Sequence, residues 1–323
     1  MTRVGMGSSF SRFRRKRQGS GRHQKLKGVA LALLMAFSLP GHATVVYLQG
    51  SANPTFNLRF TELLEERLGE DTEIRAFGSL GNFEGPPGPV ITLGQEALNQ
   101  VLEQGTHRPV LALLVGRSFL KGVSGGEDAS ISAIFYDPPL LRQALIGRVI
   151  LPQASHMALL ARPEEASRYD RLITQLADYG IEARVFLVSG EDALIPALNR
   201  ALGFGDFLLA TPDEAIYNAR NIKHILLTTY RRNRLVIGPS HAFVRAGVLA
   251  SSYVPLSDYT VAVARYIREW EQTGKLPAAS YPTEFSIEIN RQVARSLNIP
   301  LPDSEQIVDE VKRMLEQSSE APE

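Results

Sequence analysis

The sequence predicts an α/β protein divided into two domains built on parallel sheets, and three observations carry that reading. The chain has 323 residues and 44% hydrophobic content, beyond the size at which a single core usually divides. Short β-rich apolar runs alternate with amphipathic helical stretches, the pattern of a parallel sheet flanked by helices. Leu, Val, Ile and Ala recur along the whole length and 21% of residues are charged, a composition that excludes general disorder.

Ten strands are expected: Val45 to Gln49, Glu73 to Phe77, Val90 to Leu93, Val110 to Val115, Ile131 to Phe135, Met157 to Ala161, Ala183 to Val188, Phe207 to Ala210, Leu235 to Gly238 and Val248 to Ser251. Helices fill most of the gaps. Thr55 to Leu68 places Phe56, Phe60, Leu63, Leu64 and Leu68 on roughly one face, and Asp170 to Tyr179 does the same with Leu172, Ile173 and Leu176. Gly78 to Gly88, with Pro86 and Pro87, reads as a connection within a domain. Gly122 to Asp128, Gly-rich and polar, reads as the crossing between domains. The Ser, Glu and Pro content after Leu315 predicts a frayed end.

The formal charge of +1 conceals an asymmetry. Nine Lys and Arg (Arg3, Arg12, Arg14, Arg15, Lys16, Arg17, Arg22, Lys25 and Lys27) lie in residues 1–43, which contain no acid; the rest of the chain holds 26 basic and 34 acidic residues, a net charge near −8. That balance opposes nucleic-acid binding, which needs a cationic surface. The basic run precedes an apolar stretch, Val29 to Leu39, and then Pro40, Gly41, His42 and Ala43. This is the order of a signal peptide. The stretch is shorter than the roughly 20 apolar residues of a membrane span. Cleavage is expected after Ala43, which places the mature protein in the periplasm.

The chain contains no Cys, which removes disulfides, thiol nucleophiles, thiolate metal sites and a lipid-modified cysteine. The histidines beyond residue 43, His107, His156, His224 and His241, are scattered, without the spacing that puts two imidazoles on one metal. No GxGxxG follows the first strand and no GxxxxGK[ST] occurs, so neither a cofactor nor a metal is expected. Gly238-Pro239-Ser240-His241-Ala242 superficially resembles a hydrolase nucleophile elbow, but that family places the acid and then the His after the Ser, and here the only His at or after Ser240 is His241 itself. A helix-capping or ligand-touching Ser240 is the expected role, and no enzyme activity is predicted.

What remains is a row of strand-to-helix turns bearing Gly, Ser, Thr, Asn and isolated aromatics: Gln49 to Phe56, Thr92 to Gln95, Gly116 to Phe119, Thr211 to Asp213 and Ser240 to Phe243. Open α/β sheets bind ligands beyond their C-terminal strand ends, where helix N-termini offer free N–H groups. The competing role for each residue is to cap the helix that follows.

From Val90 onward the residues resemble the tryptophan/tyrosine-type ABC transporter substrate-binding family. The resemblance rests on Val90-Ile-Thr-Leu-Gly-Gln-Glu-Ala97, Arg108-Pro-Val-Leu-Ala112, and Ile131 to Leu160 with Pro152 midway. It continues in Gly247-Val-Leu-Ala-Ser251, Thr273-Gly-Lys-Leu-Pro277, Ile289-Asn-Arg-Gln-Val-Ala294 and Leu297-Asn-Ile-Pro300. Two stretches depart from the family pattern, Asp128 to Ala133 and Arg234 to Ile237.

The resemblance implies a periplasmic binding protein type I fold: two Rossmann-like lobes with parallel sheets joined by three crossings. Lobe 1 would comprise residues 44–130 and 248–278, lobe 2 residues 131–247 and 279–305, with a flexible tail at 306–323. By matching position, ligand-lining turns fall at Ser51 and Asn53, Gly94 and Gln95, Gly116, Arg117 and Ser118, Asp213, and Ser240. Phe56, Phe119, Tyr136 and Phe243 are candidate aromatic walls. The implied protein is a monomer that traps a small amino-acid-like or carboxylated solute for an ABC permease. The alternative is a sensing module that signals to a membrane receptor.

Overall fold

The computed structural model describes residues 44–79, 85–123 and 130–319. The expected export segment, residues 1–43, and most of Gly122 to Asp128 lie outside them.

The described chain forms two sheets. The first takes β1 (Thr44–Gln49), β2 (Thr72–Ala76), β3 (Val90–Leu93), β4 (Val110–Val115) and β5 (Ile131–Phe135) in the order β2-β1-β3-β4-β5, every pair parallel. The second takes β6 (His156–Ala161), β7 (Glu182–Leu187), β8 (Phe207–Leu209), β9 (Leu235–Ile237), β10 (Ala250–Tyr253) and β11 (Ser286–Ile289). Its order is β11-β10-β9-β8-β6-β7, parallel except for the edge strand β11.

Each sheet is covered on both faces, which is why central strands such as β3, β4 and β8 read as continuous apolar runs. In lobe 1, α1 (Pro54–Leu68) and α9 (Leu256–Thr273) pack Phe60, Leu64, Tyr259 and Val263 against Ile91, Leu93, Leu111 and Leu113. The opposite face meets α2 (Gln95–Glu103) and α3 (Arg117–Lys121), where Leu98 and Val101 contact Val90, Val110 and Ala112. The period-two alternation along β3 and β4 thus divides one apolar run between two cores.

Lobe 2 repeats the plan. On one face lie α4 (Leu140–Ile150), α5 (Asp170–Ala177), α10 (Arg291–Ser296) and α11 (Ser304–Ser319). On the other lie α6 (Leu194–Phe204) and α7 (Asn221–Arg231), edged by α8 (His241–Ala246).

Three boundaries differ from the sequence expectation. Residues 131–135, expected in lobe 2, belong to the lobe 1 sheet, because β5 pairs with β4 from Val110↔Ile131 to Val115↔Phe135. The chain therefore crosses after Phe135, and the Gly-rich segment before β5 connects two strands of one sheet. Residues 250–253, expected in lobe 1, pair with β9 and β11 in lobe 2, so the second crossing follows Tyr253. The expected tail from residue 306 is helical to Ser319, and Ile307 and Val311 are fully buried in the lobe 2 core. An amphipathic helix with an apolar seam is stabilised by that burial whatever its polar composition.

The topology fixes which edges meet. The C-terminal end of β5 leads within four residues into α4, a helix that packs on the second sheet and precedes β6. The C-terminal end of β10 leads within two residues into α9, which packs on the first sheet. A helix preceding a parallel strand starts at the C-terminal edge of its sheet. The C-terminal edges of the two sheets are thus brought together by the crossings.

Candidate functional site

The rim formed by these C-terminal strand ends is where an open α/β sheet receives a ligand, and the structure separates the expected residues into those with free polar groups and those already engaged. Ser51 and Asn53 belong to the second set. The Ser51 hydroxyl and backbone N–H both donate to Asn57 Oδ1, at 2.7 and 3.0 Å, and Asn57 Nδ2 returns a 2.8 Å bond to the Ser51 carbonyl. Asn53 caps α1, its Oδ1 accepting from the Phe56 N–H at 3.1 Å, the usual work of Asn before a helix.

Gly94 takes φ +99°, open to glycine at no steric cost. An added Cβ would meet nothing within 4 Å, so backbone conformation rather than close approach selects this residue. It starts α2, where Gln95 is exposed.

The next turn is shaped by an irregularity in β4. Leu114 has φ +57° and the register with β5 shifts between Leu113 and Val115. A bulge of this kind re-aims the residues that follow it. Here it is held by Tyr259 of α9, whose hydroxyl accepts from the Leu114 N–H at 3.1 Å and donates to the Ile134 carbonyl. Beyond the bulge, Gly116 leads into Arg117 and Ser118, both exposed on the rim.

Asp137, which the sequence reading passed over, anchors this turn: its Oδ1 accepts from the Arg117 N–H at 3.1 Å. Burial pushes its carboxyl above the ordinary carboxylate value, against the opposing pull of that backbone bond. Tyr136 beside it is 59% exposed, an aromatic side chain open to a ligand.

In lobe 2, Asp213 has both oxygens occupied. Oδ2 accepts from Arg162 Nε at 3.0 Å and Oδ1 from the Ala215 N–H at 3.0 Å, with the side chain 7% exposed. Arg162, also missed from sequence, follows β6 directly and bonds Glu164 at 2.7 Å as well. A charged residue in a strand-to-helix turn ahead of Pro163 was the available signal.

Ser240 makes no side-chain bond to the helix it precedes. Its neighbour His241 stacks on Tyr253, ring centroids 4.8 Å apart, and lies 3.7 Å from Glu288. The turn before it depends on Gly238, at φ +75°, where a Cβ would fall 3.0 Å from the Ala210 carbonyl.

Three of the expected aromatic walls are half-buried and pack against the cores. Phe56 stacks on Phe60 at 6.4 Å, Phe119 packs against the core beneath α2 and α3, and Phe243 packs against the core beneath α6 and α7. One cavity of about 530 Å³ lies between α2 and α3 and includes Ser118 and Phe119 in its lining, and another of about 270 Å³ lies at the N-terminal ends of β6, β8 and β9. Among the described residues no cluster of three or more His, Asp or Glu could hold a metal, and no helix is long and apolar enough to cross a membrane.

The rim is therefore a polar, hydroxyl- and guanidinium-bearing surface on two lobes. No protein-family model matches the chain, and no curated protein matches it in sequence. Solved structures do match. A substrate-binding protein with adhesive properties from Clostridium difficile, in its ligand-free, open form, is similar over 81% of this chain and 97% of its own, with TM-score 0.64 and 12% identity. A conserved domain protein from Vibrio cholerae covers 83% of this chain and 98% of its own, with TM-score 0.50 and 15% identity. An ABC domain in complex with L-Trp from Streptococcus pneumonia covers 83% and 98%, with TM-score 0.49 and 15% identity.

The two α/β lobes and their parallel-dominated sheets are those of the periplasmic binding protein type I fold.

Proposed function

We propose that this protein is an exported solute-binding protein that captures a small amino-acid-like or carboxylated ligand between its lobes and delivers it to an ABC importer. One observation carries the reading: the C-terminal edges of two parallel-dominated sheets are joined by three crossings and carry exposed polar residues, among them Gln95, Arg117 and Ser118 of lobe 1. A ligand shifts an open–closed equilibrium only through differential affinity for the two states, so contacts from both lobes are required. The similarity in fold to a substrate-binding protein supports the same role.

Within the rim, Gln95, Arg117, Ser118 and Tyr136 of lobe 1 and Ser240 of lobe 2 are the proposed contacts. Ser51, Asn53, Gly94, Gly116 and Asp213 set the turns that carry them. Arg117, exposed beside the Tyr281 hydroxyl and the Asp137 carboxyl, supplies a guanidinium suited to a carboxylate. The protein releases its ligand unchanged, because Ser240 lacks the ordered acid and base of a hydrolase: His241 is stacked on Tyr253 and turned to Glu288.

The test is a thermal-shift and calorimetric screen of amino acids and small carboxylates against the protein recovered from the periplasm. A ligand that binds the native state raises Tm by mass action. Catalytic conversion of a bound solute, abolished by Ser240→Ala, would overturn the proposal.

A further inference from the structure

The three crossings differ in how tightly each is held, and their hydrogen bonds locate where each can turn. In the first, Tyr136 is tied to lobe 1 by its N–H to the Val115 carbonyl at 3.1 Å, and Asp137 by the Arg117 N–H. Two residues later the Pro139 carbonyl already accepts from Gln143 in α4. In the second, Tyr253 is still paired with Ser286 in lobe 2, while the Pro255 carbonyl accepts from Tyr259 in α9. Pro138, Pro139 and Pro255 have fixed φ, which leaves the Asp137–Pro138 junction and Val254 as the turning points.

The third crossing, between α9 and β11, is the longest and has no helix or strand of its own apart from a single bridge, Ile134↔Ser280. Side chains grip it from both lobes. On the lobe 1 side, Ser280 exchanges backbone bonds of 3.0 Å with Ala133 and Phe135, and Tyr266 bonds the Ala278 carbonyl at 2.8 Å. Tyr281 packs on the Phe135 ring at 4.9 Å with its hydroxyl against Asp137 and Arg117. On the lobe 2 side, Arg142 Nη2 donates to the Pro282 carbonyl at 2.9 Å and its guanidinium lies 4.2 Å over the Phe285 ring.

Arg142 is an unusual residue to find there. Its side chain is buried, its Nε has no hydrogen-bond partner, and among the described residues no carboxylate reaches it within ion-pair distance, Glu284 acting on it only from farther off. Burial pulls its pKa down to about 10, the mark of a cation held where a packed apolar residue would be less costly. Such a group is explained by what it grips.

We propose that Tyr281 and Arg142 form a two-sided clamp on the third crossing, confining its rotation to the Tyr281–Pro282 junction and thereby setting how far the lobes open without ligand. This inference concerns the empty protein and does not depend on the nature of the solute.

The test uses the absence of native cysteine. Glu66→Cys on α1 and Lys223→Cys on α7, both exposed sites, carry spin labels on opposite lobes, and pulsed dipolar spectroscopy reads the interlobe distance. In the ligand-free chain, Arg142→Met and Tyr281→Phe should each shift or broaden the distance distribution. Arg148→Met, at the other end of the same helix, should leave it unchanged. If Arg142→Met unfolds the chain by circular dichroism, Arg142→Lys is read in its place, since it keeps the charge but loses the planar group over Phe285. Distributions from folded Tyr281→Phe and Arg142 variants that superimpose on the parent would overturn the clamp. Loss of ligand binding with an unaltered distribution would leave the proposed function standing and remove only this inference.

Discussion

Replacing Asp213 by Ala distinguishes a residue that builds the rim from one that touches the ligand. Two bonds are lost, the one from the Ala215 N–H and the one from Arg162 Nε, each 3.0 Å. Ala215 is exposed, so water replaces the first acceptor, and a hydrogen bond in that setting contributes about 0.5 to 1.5 kcal/mol. The pair with Arg162 adds little, because Arg162 is 37% exposed and keeps Glu164 at 2.7 Å. The expected loss is about 1 kcal/mol, or roughly 2 to 4 °C in Tm for a domain of this size. Ligand affinity should fall by less than tenfold. Urea denaturation and calorimetry on the same preparation measure both. An intact Tm with affinity reduced more than about tenfold, the signature of a lost charge-assisted contact, would refute the assignment of Asp213 to the turn.

Other substitutions probe the fold and the rim separately. Asn53→Ala removes the α1 cap and should cost about 0.5 to 2 kcal/mol in denaturant unfolding while leaving affinity within twofold. Ile307→Ala, at a fully buried position of α11, should cost about 2 to 5 kcal/mol; a negligible change would return residues 304–319 to the status of a loose tail. Asp137 has a folded pKa raised by burial above its ordinary value of 3.8. Its favourable contribution is therefore fully present below that value and is lost as pH rises through the folded pKa. Asp137→Asn should remove this part of the decline, so the variant gains stability relative to the parent between acid and neutral pH; parallel pH profiles would contradict it.

Local chemistry made most of the elements legible and left the boundaries obscure. Val90 to Leu93 and Val110 to Val115 are apolar runs long enough for a strand and too short for a helix, and they appear as read. Whether Ile131 to Phe135 joins the first or the second sheet is a matter of long-range pairing, on which its own residues are silent. Strand β11, Ser286–Ile289, escaped notice because it is four residues long, half polar and an edge strand. The rim turns were located from Gly, Ser and Asn between strand and helix. The roles within them depend on partners: Asn53 and Asp213 carry the same chemistry for a cap as for a ligand. Asp137, Arg142 and Tyr281 were invisible because their meaning arises only when segments some 140 residues apart are brought together.

The central claim is that the chain binds one small solute and returns it unaltered, and native mass spectrometry of the protein recovered from the periplasm tests it directly. The account predicts a chain beginning at or near Thr44 that carries a single small carboxylated molecule, released on denaturation with its mass unchanged. A chain that stays bare across a panel of amino acids and small carboxylates, or that releases a chemically converted product in a Ser240-dependent manner, would contradict it.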